Sequence, residues 1–229
     1  MKRLYLILFS GGMNETYNHP RYKNDITLAL NAFAALNNFS PSRTIVLLGP
    51  GGDTIPLGNA SVTATSGTRE NLKAAVEQVA SEATQEDLVI FLASNHGGFT
   101  VKGTRNAKLY CWNEDSVADS EFTSWFDKVT ALRQVFIFGQ CKSGGFIDNL
   151  EAPHRIIIAA ARWDQNSWAT QDLQYDEFLF HFINAVAQKN GTLRGCYDYA
   201  VQKDERPEEP QISDLGEIGN REDVLLFAD

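Results

Sequence analysis

Leu88-Val-Ile-Phe-Leu-Ala-Ser-Asn-His-Gly-Gly98 and Val135-Phe-Ile-Phe-Gly-Gln-Cys-Lys-Ser-Gly-Gly145 decide how this chain folds. Each starts as an unbroken apolar run and ends in a reactive side chain followed by glycines. Unbroken apolar runs read as strands buried on both faces, the habit of parallel sheets. In open α/β sheets, ligands bind in the crevice beyond the strands' carboxyl ends. His96 and Cys141 are therefore a candidate base and a candidate nucleophile on one rim.

Outward from this pair, strand-like runs near 3-9, 43-48, 87-93, 134-139 and 155-160 alternate with segments near 24-36, 68-81, 119-130 and 176-189 that carry apolar residues at helical spacing. In segment 24-36, Ile26, Leu28, Leu30, Phe33 and Leu36 form a broad apolar face. Such alternation implies right-handed crossovers and predicts an α/β three-layer sandwich, a mostly parallel central sheet with helices on both faces. No linker composition interrupts residues 1-229, so a single domain is expected. Pro50-Gly-Gly-Asp53 reads as a turn, and Thr100-Val101 with Lys108-Leu-Tyr-Cys111 as a small hairpin. The charged, proline-containing stretch 203-220 reads as a long loop, and Val224-Leu-Leu-Phe227 as a returning final strand.

Composition narrows the functional classes. The 229 residues carry 43% hydrophobic and 21% charged side chains, ordinary for a globular protein with a sizeable core. A net charge of −9 argues against broad contact with nucleic acid or anionic lipid, either of which needs a basic face. The apolar run Leu4 to Phe9 is too short for a signal peptide and lacks a cleavage site, and no stretch approaches membrane-spanning length. Three cysteines, Cys111, Cys141 and Cys196, form no CxxC and leave an odd one, which points to a reducing, cytoplasmic setting without a disulfide framework or a cysteine metal site.

A thiol attacks as thiolate and needs a nearby imidazole or helix N-terminus to ionise at neutral pH. Cys141 has both prospects if Ser143-Gly-Gly-Phe-Ile opens a short helix. The glycines after each residue leave bare backbone where a substrate must come close. The N–H groups of Gly97 and Cys141 are then candidate donors to a developing oxyanion. A lone cysteine at a strand end is ordinarily a small buried hydrophobe; it is the joint placement of the two residues that carries the functional reading. Neither Ser10-Gly-Gly-Met-Asn14 nor the glycines after Cys141 match a phosphate-binding pattern.

A strand ending in His-Gly followed by one ending in cysteine resembles the caspase-like cysteine peptidases, whose caspase signature has its histidine about 50 residues before the cysteine. Here the two are 45 apart. Legumain-like (C13) peptidases are the closer resemblance. Ser10-Gly-Gly-Met-Asn14 with Asn18-His-Pro-Arg21-Tyr-Lys-Asn-Asp25 is similar to their glycine turn and Asn-x-Arg-x-x-x-Asp segment, with one extra residue. Trp112-Asn-Glu-Asp115 is similar to their Asn-Glu-Asp, Cys141-Lys-Ser-Gly144 to their Cys-Glu-Ser-Gly, and Ser167-Trp-Ala169 to their Ser-Tyr-Ala.

The resemblance implies a cysteine endopeptidase acting on peptide or protein substrates through a Cys141/His96 dyad, without a cofactor. It implies Asn18 as a third member orienting the imidazole, with His19 competing for that position, and Arg21 and Ser167 as substrate-binding residues. Arg21 has an ordinary alternative as an exposed salt bridge at a helix start. The acid expected two places before the cysteine is Gly139, and a second pocket acid aligns with Asp176 or Glu177. Arginine with one acid suits asparagine at P1, whereas a dominant acid suits a basic residue. Trp163 and Trp168 are candidate subsite walls or core residues. Two other readings stand beside this one: a noncatalytic caspase-like module that binds a protein, and a nucleotide-binding flavodoxin-like domain.

Overall fold

The computed structural model describes residues 3–58, 60–189 and 191–225. Its centre is a six-stranded sheet. β1 (Leu4–Ser10), β2 (Thr44–Leu48), β5 (Leu88–Ala93), β9 (Arg133–Phe138) and β10 (Arg155–Ala159) run parallel. The short β11 (Gln211–Ser213) closes one edge antiparallel to β10, giving the order β11-β10-β9-β5-β1-β2. β5 and β9 are therefore neighbours, paired from Leu88↔Arg133 to Ala93↔Phe138. His96 and Cys141 each lie three residues beyond those paired ends.

Alternating side chains of the strands enter separate cores on the two faces of the sheet. Leu6, Leu8, Ile90, Leu92, Val135, Ile137, Ile156 and Ile158 meet α1 (Pro20–Ala34), α5 (Glu177–Ala187) and α6 (Leu193–Lys203). Ile7, Phe9, Phe91, Phe136, Phe138 and Ile157 meet α2 (Arg69–Glu82), α3 (Asp119–Phe126) and the one-turn α4 (Ile147–Leu150). The second core is aromatic: Phe122 lies edge-on to Phe91, Phe136, Phe138 and Phe146 at centroid distances of 4.9 to 6.0 Å. Both faces being buried is why these strands read as unbroken apolar runs. The three-layer expectation holds.

The smaller elements depart from the sequence reading. β3 (Thr54–Leu57) and β4 (Ala60–Thr63) form an unexpected hairpin. The hairpin after His96 starts earlier than expected, as β6 (Gly97–Phe99) pairs with β7 (Ala107–Tyr110), and β7 pairs in turn with β8 (Ser116–Ala118). Segment 203–220, expected as a loop, holds β11 and a 3-10 turn at Ile218–Asn220 and buries Glu208. It is β11 that fills the sheet edge: Val224 and Leu225 are buried outside any strand, and Leu226 and Phe227 lie outside the described residues. Among the described residues no helix is long and apolar enough to cross a membrane.

Candidate active site

The cysteine side is built by a change of backbone direction. The Gly139 amide donates to the Ala93 carbonyl at 2.8 Å, and a side chain at 139 would run into Leu179 (Cδ1 2.3 Å from an ideal Cβ). An apolar residue of α5 thus fills the space of the missing acid. Lys142 adopts a left-handed conformation (φ 64°), after which a 3-10 turn (Ser143–Phe146) leads into α4. This turn is pinned to the end of β10: the Ser143 hydroxyl donates to the Ala161 carbonyl (3.2 Å) and accepts the Ala161 amide (3.1 Å), and the Gly144 amide donates to the same carbonyl (2.8 Å). Cys141 is half-buried, whereas Cys111 and Cys196 are fully buried, and burial pushes the Cys196 thiol up to about 12. Sγ of Cys141 lies 3.7 Å from the Ser167 carbonyl and 3.8 Å from its hydroxyl.

On the histidine side, Asn95 staples neighbouring elements: its Oδ1 accepts the Gly12 amide (2.8 Å) and its Nδ2 donates to the Tyr110 carbonyl. His96 Nε2 lies 2.9 Å from the Tyr17 carbonyl. A carbonyl can only accept, so Nε2 carries the proton and Nδ1 is left as the basic nitrogen. Burial holds His96 below the usual histidine range; the Tyr17 bond opposes this and the Arg21 guanidinium adds to it. Asn18 and His19 take other parts. Among the described residues Asn18 makes no side-chain hydrogen bond to the imidazole; its amide group lies against Gly12 and Gly49, close enough that a Cβ at either would strike it. His19 packs 5.2 Å from the His96 ring, and Tyr22 lies edge-on at 5.3 Å. The imidazole is held by a backbone carbonyl, fixed in turn because the amide of that peptide unit, Asn18 N–H, donates to the Asn14 carbonyl at 2.9 Å.

The two sides meet at Gly97. A Cβ there would lie 2.1 Å from the Cys141 carbonyl oxygen, so only glycine allows the backbones this approach. In the β6–β7 pair, Tyr110 N–H donates to the His96 carbonyl (3.2 Å) and Thr100 N–H to the Asn106 carbonyl (2.9 Å). The bonded positions of this antiparallel ladder are thus even-numbered, and the Gly97 N–H turns away from β7. The Cys141 N–H donates to no other described group. Neither amide is thus spent on a hydrogen bond among the described residues.

Around His96 and Cys141, Arg21 stacks over the Tyr22 ring (4.8 Å) and hydrogen-bonds its hydroxyl (3.4 Å). Among the described residues it has no carboxylate within ion-pair distance, so the salt-bridge reading of Arg21 falls away. Asp25 and Asp176 are buried together: Asp25 accepts the Ser94 hydroxyl (2.6 Å) and the Asp176 amide (3.2 Å), while Asp176 caps α5 by accepting the Leu179 amide (3.0 Å). Burial raises Asp25 to about 7, and burial together with Asp25 raises Asp176 well above the usual carboxylate range. Glu177 takes another direction, towards His181 (3.4 Å) and Arg206 (3.5 Å), where the three line an open cavity of about 490 Å³ with Thr170 and Gln171.

Trp168 is 47% exposed and Trp163 half-buried beside Phe99 and Arg105, so neither is a core residue. The Asn113–Asp115 segment braces the turn after β1: Glu114 accepts the Asn14 side-chain amide (2.6 Å) and its amide donates to the Met13 carbonyl (2.9 Å). That turn is filled by protein atoms, since a Cβ at Gly11 would lie 2.4 Å from the Tyr110 carbonyl oxygen. Among the described residues no group of three or more His, Cys, Asp or Glu side chains is arranged to hold a metal ion. The Tyr17 carbonyl, Tyr22, Asn95 and Glu208 were not singled out by sequence reasoning; two of these act at the site through backbone or packing, which residue type does not announce.

The model of the Peptidase C13 family matches residues 12–215, from the turn after β1 to just past β11. No curated protein matches the chain.

Proposed function

The chain belongs to the Peptidase C13 family, legumain-like cysteine peptidases of the caspase-like fold, and from that premise we propose that it is an endopeptidase using Cys141 as nucleophile and His96 as base. The observation that carries this reading is the backbone approach at Gly97, which brings the histidine loop against the Cys141 carbonyl. His96 Nδ1 takes the thiol proton, and Sγ attacks the scissile carbonyl carbon while its oxygen gains the charge met by the Gly97 and Cys141 amides. The C–N bond then breaks, Nδ1–H protonates the leaving amine, and a thioester remains on Cys141. Water, deprotonated by His96, releases the acid and restores the thiol. The Tyr17 carbonyl holds the ring throughout and stabilises its charged form, with Asn18 keeping that peptide unit in place.

The same reading assigns Arg21 and Ser167 to substrate binding and favours asparagine at P1 over a basic residue. Among the described residues Arg21 is a cation without a carboxylate in ion-pair distance, suited to a side-chain carbonyl. Burial and the neighbouring Asp25 push the pKa of Asp176 well above the usual carboxylate range and make it a poor counter-charge for a lysine or arginine, and Gly139 removes the second acid. Glu177 is spent on Arg206 and His181.

Incubation of the chain with a randomised peptide pool tests both parts. Cleavage enriched after asparagine and absent from C141A, with unchanged circular dichroism, is the expected result. Activity surviving in C141A overturns the mechanism. Cleavage after lysine or arginine overturns the pocket assignment, and no cleavage by the native chain supports a noncatalytic module.

A further inference from the structure

Glu208 lies in the charged segment beyond α6, yet it is only 8% exposed. Its Oε2 accepts the Trp168 amide at 2.7 Å. Trp168 directly follows Ser167, whose carbonyl and hydroxyl touch the Cys141 sulfur. One buried acid therefore holds the peptide unit that borders the nucleophile. The other oxygen of that acid, Oε1, is buried without a hydrogen-bond partner among the described residues, and so is Oδ2 of Asp204. The two side chains are within hydrogen-bonding reach of each other. Left ionised, they would be two buried anions in contact, each with an unsatisfied oxygen, an expensive arrangement. A single proton removes both defects, with Glu208 Oε1–H donating to Asp204 Oδ2.

We propose that Asp204 and Glu208 share one proton as a carboxylic acid–carboxylate pair, and that through this pair Glu208 is a positioning residue that seats the Ser167–Trp168 loop beside Cys141. The inference rests on the reading of that loop as part of the peptide site.

The surroundings favour the proton on Glu208. Burial is the main cause that raises it, to about 11, and Asp176 and Asp204 add to the rise. Asp204 is raised by burial but is helped to ionise by the Arg206 amide on its Oδ1 (2.9 Å) and by the Glu208 bond itself. The groups facing the pair are Asp176, Glu177 and His181 of α5, with Asp25 and Arg21 of α1 acting on Asp176, and Arg206 from the same segment. Arg206, two residues before Glu208, turns its Nε to Glu177. Among the described residues Glu208 has no ion-pair partner, and a proton neutralises it instead.

E208Q keeps an acceptor for Trp168 and supplies an N–H donor for Asp204, whereas E208A removes both and E208D keeps the acid but shortens its reach. In the full chain at neutral pH, KM for the best peptide should stay within about twofold in E208Q and rise about tenfold or more in E208A and E208D, with kcat changing less. Amide exchange at Trp168 should speed up about tenfold in E208A and stay slow in E208Q. An infrared difference spectrum of the native chain against E208Q should show one protonated-carboxyl band lost, a band that D204N retains. Exchange and infrared arms read the pair even in a chain that cleaves nothing, so failure of the peptidase reading is separable. A native-like KM with slow Trp168 exchange in E208A, or no protonated band lost in E208Q, overturns the proposal.

Discussion

Asp87 and Asp25 are both fully buried aspartates, at opposite ends of the parallel strands, and their neighbours push their pKa values in opposite directions. Asp87, just before β5, accepts from Arg3 Nη2 (2.7 Å) and Nε (3.1 Å) and from the Thr84 amide and hydroxyl (2.8 and 2.9 Å). Burial alone would raise its pKa, but Arg3 and Thr84 overcome that and hold it below the usual range. Asp25, on the rim side, has a hydroxyl, one backbone amide and a second acid for company, and it titrates near neutrality. The amino ends of the strands are finished with satisfied charges, as a structural base should be. The carboxyl ends collect acids raised by burial, together with a histidine held below its usual range and an arginine that, among the described residues, has no carboxylate within ion-pair distance. Buried acids whose pKa values are raised beside one another, rather than lowered by a cation, are the pattern of a functional end.

Two substitutions strain this contrast. D87N should cause the larger loss, about 2 kcal/mol of unfolding free energy, since hydrogen bonds to a buried charged group are worth about 1.5–3 kcal/mol; the Arg3 side of the contact is open to water and adds little. Because the folded pKa of Asp87 lies below the unfolded one, its contribution is present above about pH 4 and fades as pH falls through the folded value. Denaturant titrations should therefore separate native chain and D87N widely at pH 7 and by less at pH 3, the gap narrowing as pH falls, with kcat per folded molecule unchanged.

D25N should act more gently and with the opposite sign. Between about pH 4 and 7 the folded chain keeps a proton on Asp25 that the unfolded chain releases, so native stability falls as pH rises through that window. D25N should flatten the fall without abolishing it, because Asp176 is raised as well. Equal slopes in the two proteins would remove the contrast between the two ends of the sheet.

The same contrast explains what was legible in the sequence. The central strands were readable because burial on both faces leaves no polar interruption, and the neighbouring placement of His96 and Cys141 because each ends an apolar run and is followed by glycines. α6 was missed although Leu193, Cys196, Tyr197 and Ala200 keep helical spacing, since Gly195 and the exposed polar residues dilute the pattern; Thr192 starts the helix by accepting the Gly195 amide. β11 is too short, and too close to Pro207 and Pro210, to register as a strand. At the site, the residues that end the two apolar runs left traces in the sequence, while backbone groups and the buried side chains that support them did not. The Tyr17 carbonyl could be any residue's, and Glu208 reads as one more acid in a charged stretch until its burial is seen.

The most direct test is site-resolved labelling with a peptidyl electrophile carrying asparagine at P1, read by tandem mass spectrometry on the native chain and on H96A. Modification of Cys141 at least about a hundredfold faster than an exposed model thiol, with Cys111 and Cys196 unmodified and the rate falling about 10² to 10⁴-fold in H96A, is the expected result. Cys141 reacting no faster than the model thiol, or equally fast in H96A, would contradict the account.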